Sequence, residues 1–174
     1  MDLRAFYVLM AATSFTLVGL WWTVIQKHPD WKSSPRQRAL AGGTYLSFLL
    51  PGLMATLAQV APGTPALWRI SFGAAALVGL WSTVRLLRTD KAGSRGPFRR
   101  HRWVVTLIYL AILVLGVAPE LARRAGLAPL AVGGVLLVLL IVLAHGLTWE
   151  FMMEPDEPVD AAPTPPSPTP GPDR

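Results

Sequence analysis

Glu120 is the one acidic residue that falls near an apolar boundary away from the two ends of the chain. Arg123 and Arg124 follow it at i+3 and i+4, the spacing at which a carboxylate and a guanidinium meet on one helix face. A local ion pair is the plainer expectation. The sharper alternative joins Glu120 to Arg69 on a different helix, with Gln59 close by, as a polar gate at one membrane face. His145 lies about one turn before Trp149, near the end of the last apolar stretch. An imidazole there can relay protons, bind a metal or hold haem iron. Haem held by two histidines needs imidazoles that face each other, and His28 and His101 sit in or beside polar connections. A histidine hydrogen-bonded to a neighbouring helix is therefore expected, and no cofactor is called for.

Pro51-Gly52 interrupts the second apolar stretch at its centre. Proline removes a helix hydrogen bond and crowds the preceding turn. A kink with freed carbonyls near mid-membrane depth follows, either repaired by neighbouring hydroxyls or used as a binding site. Thr13, Ser14 and Thr16 can bond carbonyls of their own helix. The candidate functional or coupling residues are thus Pro51, Gly52, Arg69, Glu120 and His145. Gly-x-Ser-x-Gly, His-Glu-x-x-His, the phosphate-binding loop and Gly-x-Gly-x-x-Gly are all missing. No pair of carboxylates could do acid–base work inside an apolar stretch. Enzymatic chemistry is not expected.

The elements that carry these residues follow from composition. Of 174 residues, 52% are hydrophobic and 15% charged, and the mean hydropathy is +0.44. Soluble domains carry about 25% charged residues. The excess is gathered into five blocks, at about 3–25, 39–61, 66–87, 103–122 and 129–149. Each is long enough to cross a hydrocarbon core about 30 Å thick. A soluble enzyme and a nucleic-acid-binding domain are excluded, despite a pI near 10.5. With no cysteine, so are a disulfide scaffold and a thiolate metal site. Runs such as Val135 to Leu143 do not alternate as barrel strands do. The fold class is all-α: five transmembrane helices, residues 1–149, followed by an acidic Pro-rich tail, 150–174. The first block lacks a basic leader and a cleavage site, and reads as a retained helix.

Pro35, Pro65, Pro97 and Pro129 punctuate the starts, 30, 32 and 32 residues apart. Proline suits the first helical turn, where its missing N–H has no partner to lose. Ser34 and Thr64 stand where a capping hydroxyl is favoured. Two connections, after the first and third spans, hold eleven Lys and Arg, against four (Arg4, Arg69, Arg123, Arg124) on the other side. Basic short loops stay in the cytoplasm, which sets the N-terminus outside and the C-terminus inside. Trp21, Trp22, Trp81, Trp103 and Trp149 fall near the inner ends, as an interfacial aromatic belt requires. Arg85, one turn past Trp81, is placed for a cation–π contact.

Leu17-Val18-Gly19-Leu20-Trp21-Trp22-Thr23-Val24 recurs as Leu77-Val78-Gly79-Leu80-Trp81-Ser82-Thr83-Val84, matching at seven of eight positions. A weaker echo links Tyr45 and Gly52 to Tyr109 and Gly116. The first two spans can therefore be a helical hairpin repeated in parallel as spans three and four. Ser71, Ala75, Gly79 and Thr83 form a small-residue stripe suited to close helix packing, within the chain or between copies. Gly133-Gly134 is another expected close contact.

The loop at 88–102 is strongly basic and suits anionic lipid headgroups as well as the topology rule. The tail carries eight prolines and six acids and cannot bury a core, so it is expected to be disordered. The functional expectation is a non-enzymatic accessory or assembly subunit of a membrane complex. A small oligomeric channel or transporter is the alternative. Its partners are the bilayer and another copy or another membrane protein, with no nucleic acid. An Ala-, Arg- and Pro-rich composition points to a bacterial plasma membrane.

Overall fold

Proline opens three of the long helices at their first residue, where the ring costs no hydrogen bond. The computed structural model describes residues 2–32, 35–60, 65–89 and 102–153. Helix α1 spans Leu3–Lys27, and a 3-10 turn over Pro29–Lys32 leads to α2, Pro35–Val60. Helix α3 covers Pro65–Thr89, α4 Arg102–Val117, α5 Glu120–Arg124 and α6 Pro129–Met152. All regular structure among the described residues is helical. Helix α1 is capped by the Asp2 carboxylate, which accepts from the Arg4 N–H at 3.0 Å. Pro97, the Ser34 and Thr64 caps, most of the 88–102 loop and the tail beyond Met153 lie outside the described residues.

This is a helical membrane protein. Four helices are long and apolar enough to cross a bilayer: Leu3–Lys27, Gln37–Val60, Ala66–Arg85 and Pro129–Trp149. The fourth block also forms an apolar helix, so the five expected helices are present. Its apolar helix, Trp103–Val117, is shorter than the others and stops before Ala122. Pro119 has no N–H to give to the carbonyl one turn back, so the helix ends and restarts as α5. At about 1.5 Å per residue the apolar part of α4 is roughly 22 Å long, against a core of about 30 Å. Helix α5 closes on a Schellman motif: Leu127 donates to the Ala122 carbonyl and Gly126 to that of Arg123, both at 2.9 Å. Gly126 takes the positive φ, 74°, that this closure needs.

Neighbouring helices pack in a ring, α1 on α2, α2 on α3, α3 on α4, α4 on α6 and α6 on α1, with α6 also reaching α2. Lipid gives no hydrophobic drive between helices, so close fit has to hold them together. The larger of two buried clusters includes the fully buried Phe72, Met54, Ile112 and Leu137, and the smaller gathers Trp21, Trp31, Ala41, Phe48 and Ala144. The first four come from α2, α3, α4 and α6, about two turns in from the end of the bundle where α1 begins. Small residues make the approaches possible. A Cβ on Gly133 would lie 2.9 Å from the Phe72 ring, and one on Gly134 2.8 Å from the Phe6 ring. The expected close contact at this pair is thus present. On α3, a Cβ on Gly79 would overlap the Tyr109 ring, so this part of the small-residue stripe is used within the chain.

The α1–α2 and α3–α4 hairpins each place the glycine of the echoed pair at a helix crossing, and they differ at the motif tryptophans. Gly52 of α2 abuts Ser14 of α1, and Gly116 of α4 abuts Arg69 and Gly73 of α3. Gly52 and Gly116 are matching positions, whereas Ser14 corresponds to Ala74 rather than to Arg69 or Gly73. The motif tryptophans diverge: Trp21 is buried and donates from Nε1 to the Ala41 carbonyl at 3.0 Å, whereas Trp81 is exposed. Trp21 therefore leaves the expected belt. Adjacent helical residues point about 100° apart, so Trp21 and Trp22 cannot both face lipid. Trp22, Trp81, Trp103 and Trp149 are all exposed at the end opposite the start of α1, and Arg85 lies 5.5 Å over the Trp81 ring. Replacing Phe72 by alanine is expected to lower unfolding stability by about 3 kcal/mol. Denaturation in micelles with a graded mixture of sodium dodecyl sulfate checks this.

Candidate functional site

Where α1 and α6 begin and α2 ends, the bundle opens into a cavity of about 430 Å³. The volume lies within the range of about 300–1,000 Å³ typical of ligand pockets. Its walls come from Leu3, Arg4 and Tyr7 of α1, Ala58 and Gln59 of α2, Trp68 of α3, Arg123 of α5, and Ala128, Pro129 and Leu130 around the start of α6. Each wall follows from local chain logic. Proline at 119 ends α4 early and lets α5 lie across the opening. Proline at 129 starts α6 beside α1.

The floor is held by hydrogen bonds between helices. The Tyr7 hydroxyl donates to the Leu130 carbonyl at 2.7 Å, tying α1 to α6 across 123 residues of sequence. The Gln59 amide donates to the carbonyls of Tyr7 and Ala55, both at 3.2 Å, tying α2 to α1. Trp68 stands edge-on to Phe72, ring centroids 5.8 Å apart, and Phe72 belongs to the dry layer beneath. A Tyr7→Phe change is expected to cost about 1 kcal/mol, the net worth of one buried hydrogen bond. The same denaturation measurement reads it, and an unchanged midpoint would contradict the α1–α6 tie.

Arg69 and Glu120 are both at this end and do not meet as the gate hypothesis required. The Arg69 guanidinium instead caps α4: Nε donates to the Gly116 carbonyl at 3.0 Å and Nη2 to that of Val117 at 2.8 Å. Those carbonyls lie in the last turn of α4, which the helix break around Pro119 leaves short of helical donors. A cation is also favoured at the negative end of a helix. Glu120 takes the local pair, accepting from Nη1 of Arg123 at 2.6 Å in an exposed i, i+3 contact. Such exposed pairs add little stability. Gln59 faces α1 rather than Arg69.

Pro51 is fully buried and α2 runs on through it as helix. At Gly52 α1 comes close, with Ser14 Cβ 3.0 Å from the site of a Cβ. The Ser14 hydroxyl is buried there and has no hydrogen-bond partner. His145 is remote from the pocket. Its Nδ1 lies 2.8 Å from the Ile141 carbonyl, so that nitrogen carries the proton and donates within the helix rather than to a neighbour. Its ring is edge-on to Phe48, centroids 5.5 Å apart. Among the described residues no three His, Asp or Glu side chains gather as metal ligands would. His101 lies outside them.

In the opposite half a second cavity, about 40 Å³, is lined by residues including Ser47, Gly79, Ser82, Thr83 and Tyr109. The Ser47 and Thr83 hydroxyls donate to the Gly43 and Gly79 carbonyls, at 2.9 and 2.8 Å. The layer of Phe72, Met54, Ile112 and Leu137 lies between this cavity and the large pocket. The chain matches no protein family, no curated protein and no solved structure.

Sequence reasoning placed Arg69, Gln59, Glu120 and Arg123 at one end and missed what unites that end. Arg4 and Tyr7 were not singled out. The signal for Tyr7 was its hydroxyl inside an apolar span, which needs a partner when buried. The signal for the α4 cap was Pro119, which ends the helix and leaves its last carbonyls short of helical donors.

Proposed function

We propose that this chain is a non-enzymatic, multi-pass accessory or assembly subunit of a membrane complex, working by binding at one face of the bilayer. The observation that supports this most is the shape of the interior. Among the described residues, a ligand-sized pocket opens at the end where α1 begins, and a fully buried apolar layer lies beneath it. Such a bundle suits holding a partner or ligand better than passing one through. The basic connections support a bacterial plasma-membrane orientation with the pocket outside and the C-terminus inside.

Two measurements test the reading. Because the chain has no cysteine, single ones can be introduced cleanly. Asp2→Cys is expected to react with an impermeant maleimide on intact cells, and Ser94→Cys only after permeabilisation. The reverse pattern would contradict the orientation. In proteoliposomes, proton and potassium flux is expected to equal that of protein-free vesicles.

One observation favours the channel or transporter alternative. The unpartnered Ser14 hydroxyl is buried against Gly52 beside Pro51, a natural place for α1 and α2 to rearrange. Saturable flux abolished by Ser14→Ala or Pro51→Ala would establish that alternative and overturn the subunit reading.

A further inference from the structure

Both charged side chains that line the 430 Å³ pocket are arginines, Arg4 and Arg123. The acidic groups nearby lie outside the lining. Asp2 accepts from the backbone N–H of Arg4 as the α1 cap. Glu120 holds one nitrogen of Arg123 and is not part of the lining. The Arg4 guanidinium makes no ion pair among the described residues. The rest of the wall is largely apolar and includes Leu3, Trp68, Ala58 and Leu130. The polar donors within it, the Tyr7 hydroxyl and the Gln59 amide, are already bonded to backbone carbonyls. The pocket thus combines cations with a floor whose donors are engaged.

We infer that this pocket binds an anionic amphiphile. An oxyanion, phosphate or carboxylate, sits between Arg4 and Arg123, and the first part of an alkyl chain lies against Trp68 and Leu130. Guanidinium forks match such oxyanions in two-pronged fashion. A free anion would leave the apolar floor unused, and a neutral lipid would leave the Arg4 guanidinium uncompensated. The inference rests on reading the protein as a binder, and names what it binds.

The test uses the full chain in a neutral detergent and counts retained lipid by native mass spectrometry. Phosphatidylglycerol and phosphatidylcholine of matched chains are the probes. The wild type is expected to retain one phosphatidylglycerol, favoured over phosphatidylcholine by about 25-fold, roughly fivefold for each arginine. Arg4→Gln with Arg123→Gln removes the preference. Arg4→Lys with Arg123→Lys keeps most of it, which separates lost charge from lost fold. Arg124→Gln, on the same short helix but outside the lining, leaves it unchanged. Inorganic phosphate is expected not to displace the lipid. Dodecyl phosphate distinguishes the sources of the head. Displacement supports a site open to single-chain amphiphiles, and retention supports one restricted to bilayer lipid.

Equal retention of the two lipids, a preference that survives the double glutamine variant, or displacement by inorganic phosphate would overturn the inference. Flux in proteoliposomes would overturn the subunit reading and leave the lipid counts untouched, so the two fail separately.

Discussion

Arg69→Met is expected to lower the unfolding free energy by about 3 kcal/mol. The change keeps an apolar stem of similar length and removes two charge-assisted hydrogen bonds, to the carbonyls of Gly116 and Val117. Bonds of that kind contribute about 1.5–3 kcal/mol each. The exposure of the Nη2 contact holds the estimate to the lower part of the sum. The larger consequence is that two carbonyls at the end of α4 lose their donors near the membrane boundary, where few replacements exist. Arg69→Lys is expected to recover about half of the loss, because an ammonium can reach one carbonyl but lacks the planar fork. Glu120→Gln, by contrast, is expected to change stability by less than about 0.5 kcal/mol. If the two variants were equally damaging, the Arg69–Glu120 gate would be restored and the cap assignment lost. Unfolding in graded sodium dodecyl sulfate, followed by circular dichroism, gives all three values.

Gly116→Val should be of similar size, about 3 kcal/mol, for a steric reason. A Cβ at this position would lie 3.0 Å from the Arg69 carbonyl oxygen and 3.3 Å from the Gly73 nitrogen. Both neighbours are backbone, so neither can swing aside. Helix α4 has to move away from α3, and the Arg69 cap moves out of reach with it. The two sites therefore act on one junction. The Arg69→Met, Gly116→Val double variant is expected to fall short of the summed losses by about 1 kcal/mol or more. Glycine itself is not the cause, as a control shows. Gly19 has nothing within 4 Å of its missing Cβ. Gly19→Ala should be neutral or stabilising by up to about 1 kcal/mol, since it removes only backbone freedom. A comparable loss at both glycines would mean that helix propensity, not close packing, sets the effect.

The spans were readable because bilayer thickness imposes a length on apolar helices, and charge between them stays in water. Proline at 35, 65 and 129 marked helix starts for an equally local reason. The break at Pro119 was harder to see. Apolar residues continue through Leu121 and Ala122, so hydropathy alone carries the span past a point where the backbone cannot follow. Trp21 and Trp22 show the same limit in another form. Both types suit an interface, and only the rotation of α1 against α2 decides which one faces inward.

Site residues divided along that line. Glu120 with Arg123 was accessible because it depends on helix spacing alone. The partners of Arg69, Tyr7 and Gln59 were not, because each reaches a carbonyl on a different helix. A carbonyl carries no residue-type signal, so no pattern of side chains announces it. The pocket likewise draws on five helices whose arrangement is fixed only by packing. Arg4 looked like a lone basic residue before a span and proved to line the same cavity as Arg123.

The central claim is that the chain serves a larger membrane assembly by binding rather than by conduction or catalysis. The most direct measurement is the mass and composition of the intact particle released from its own membrane under mild solubilisation. The account predicts one copy of this chain with a second polypeptide in fixed stoichiometry. A closed homo-oligomer without another polypeptide, or a bare monomer, would contradict it.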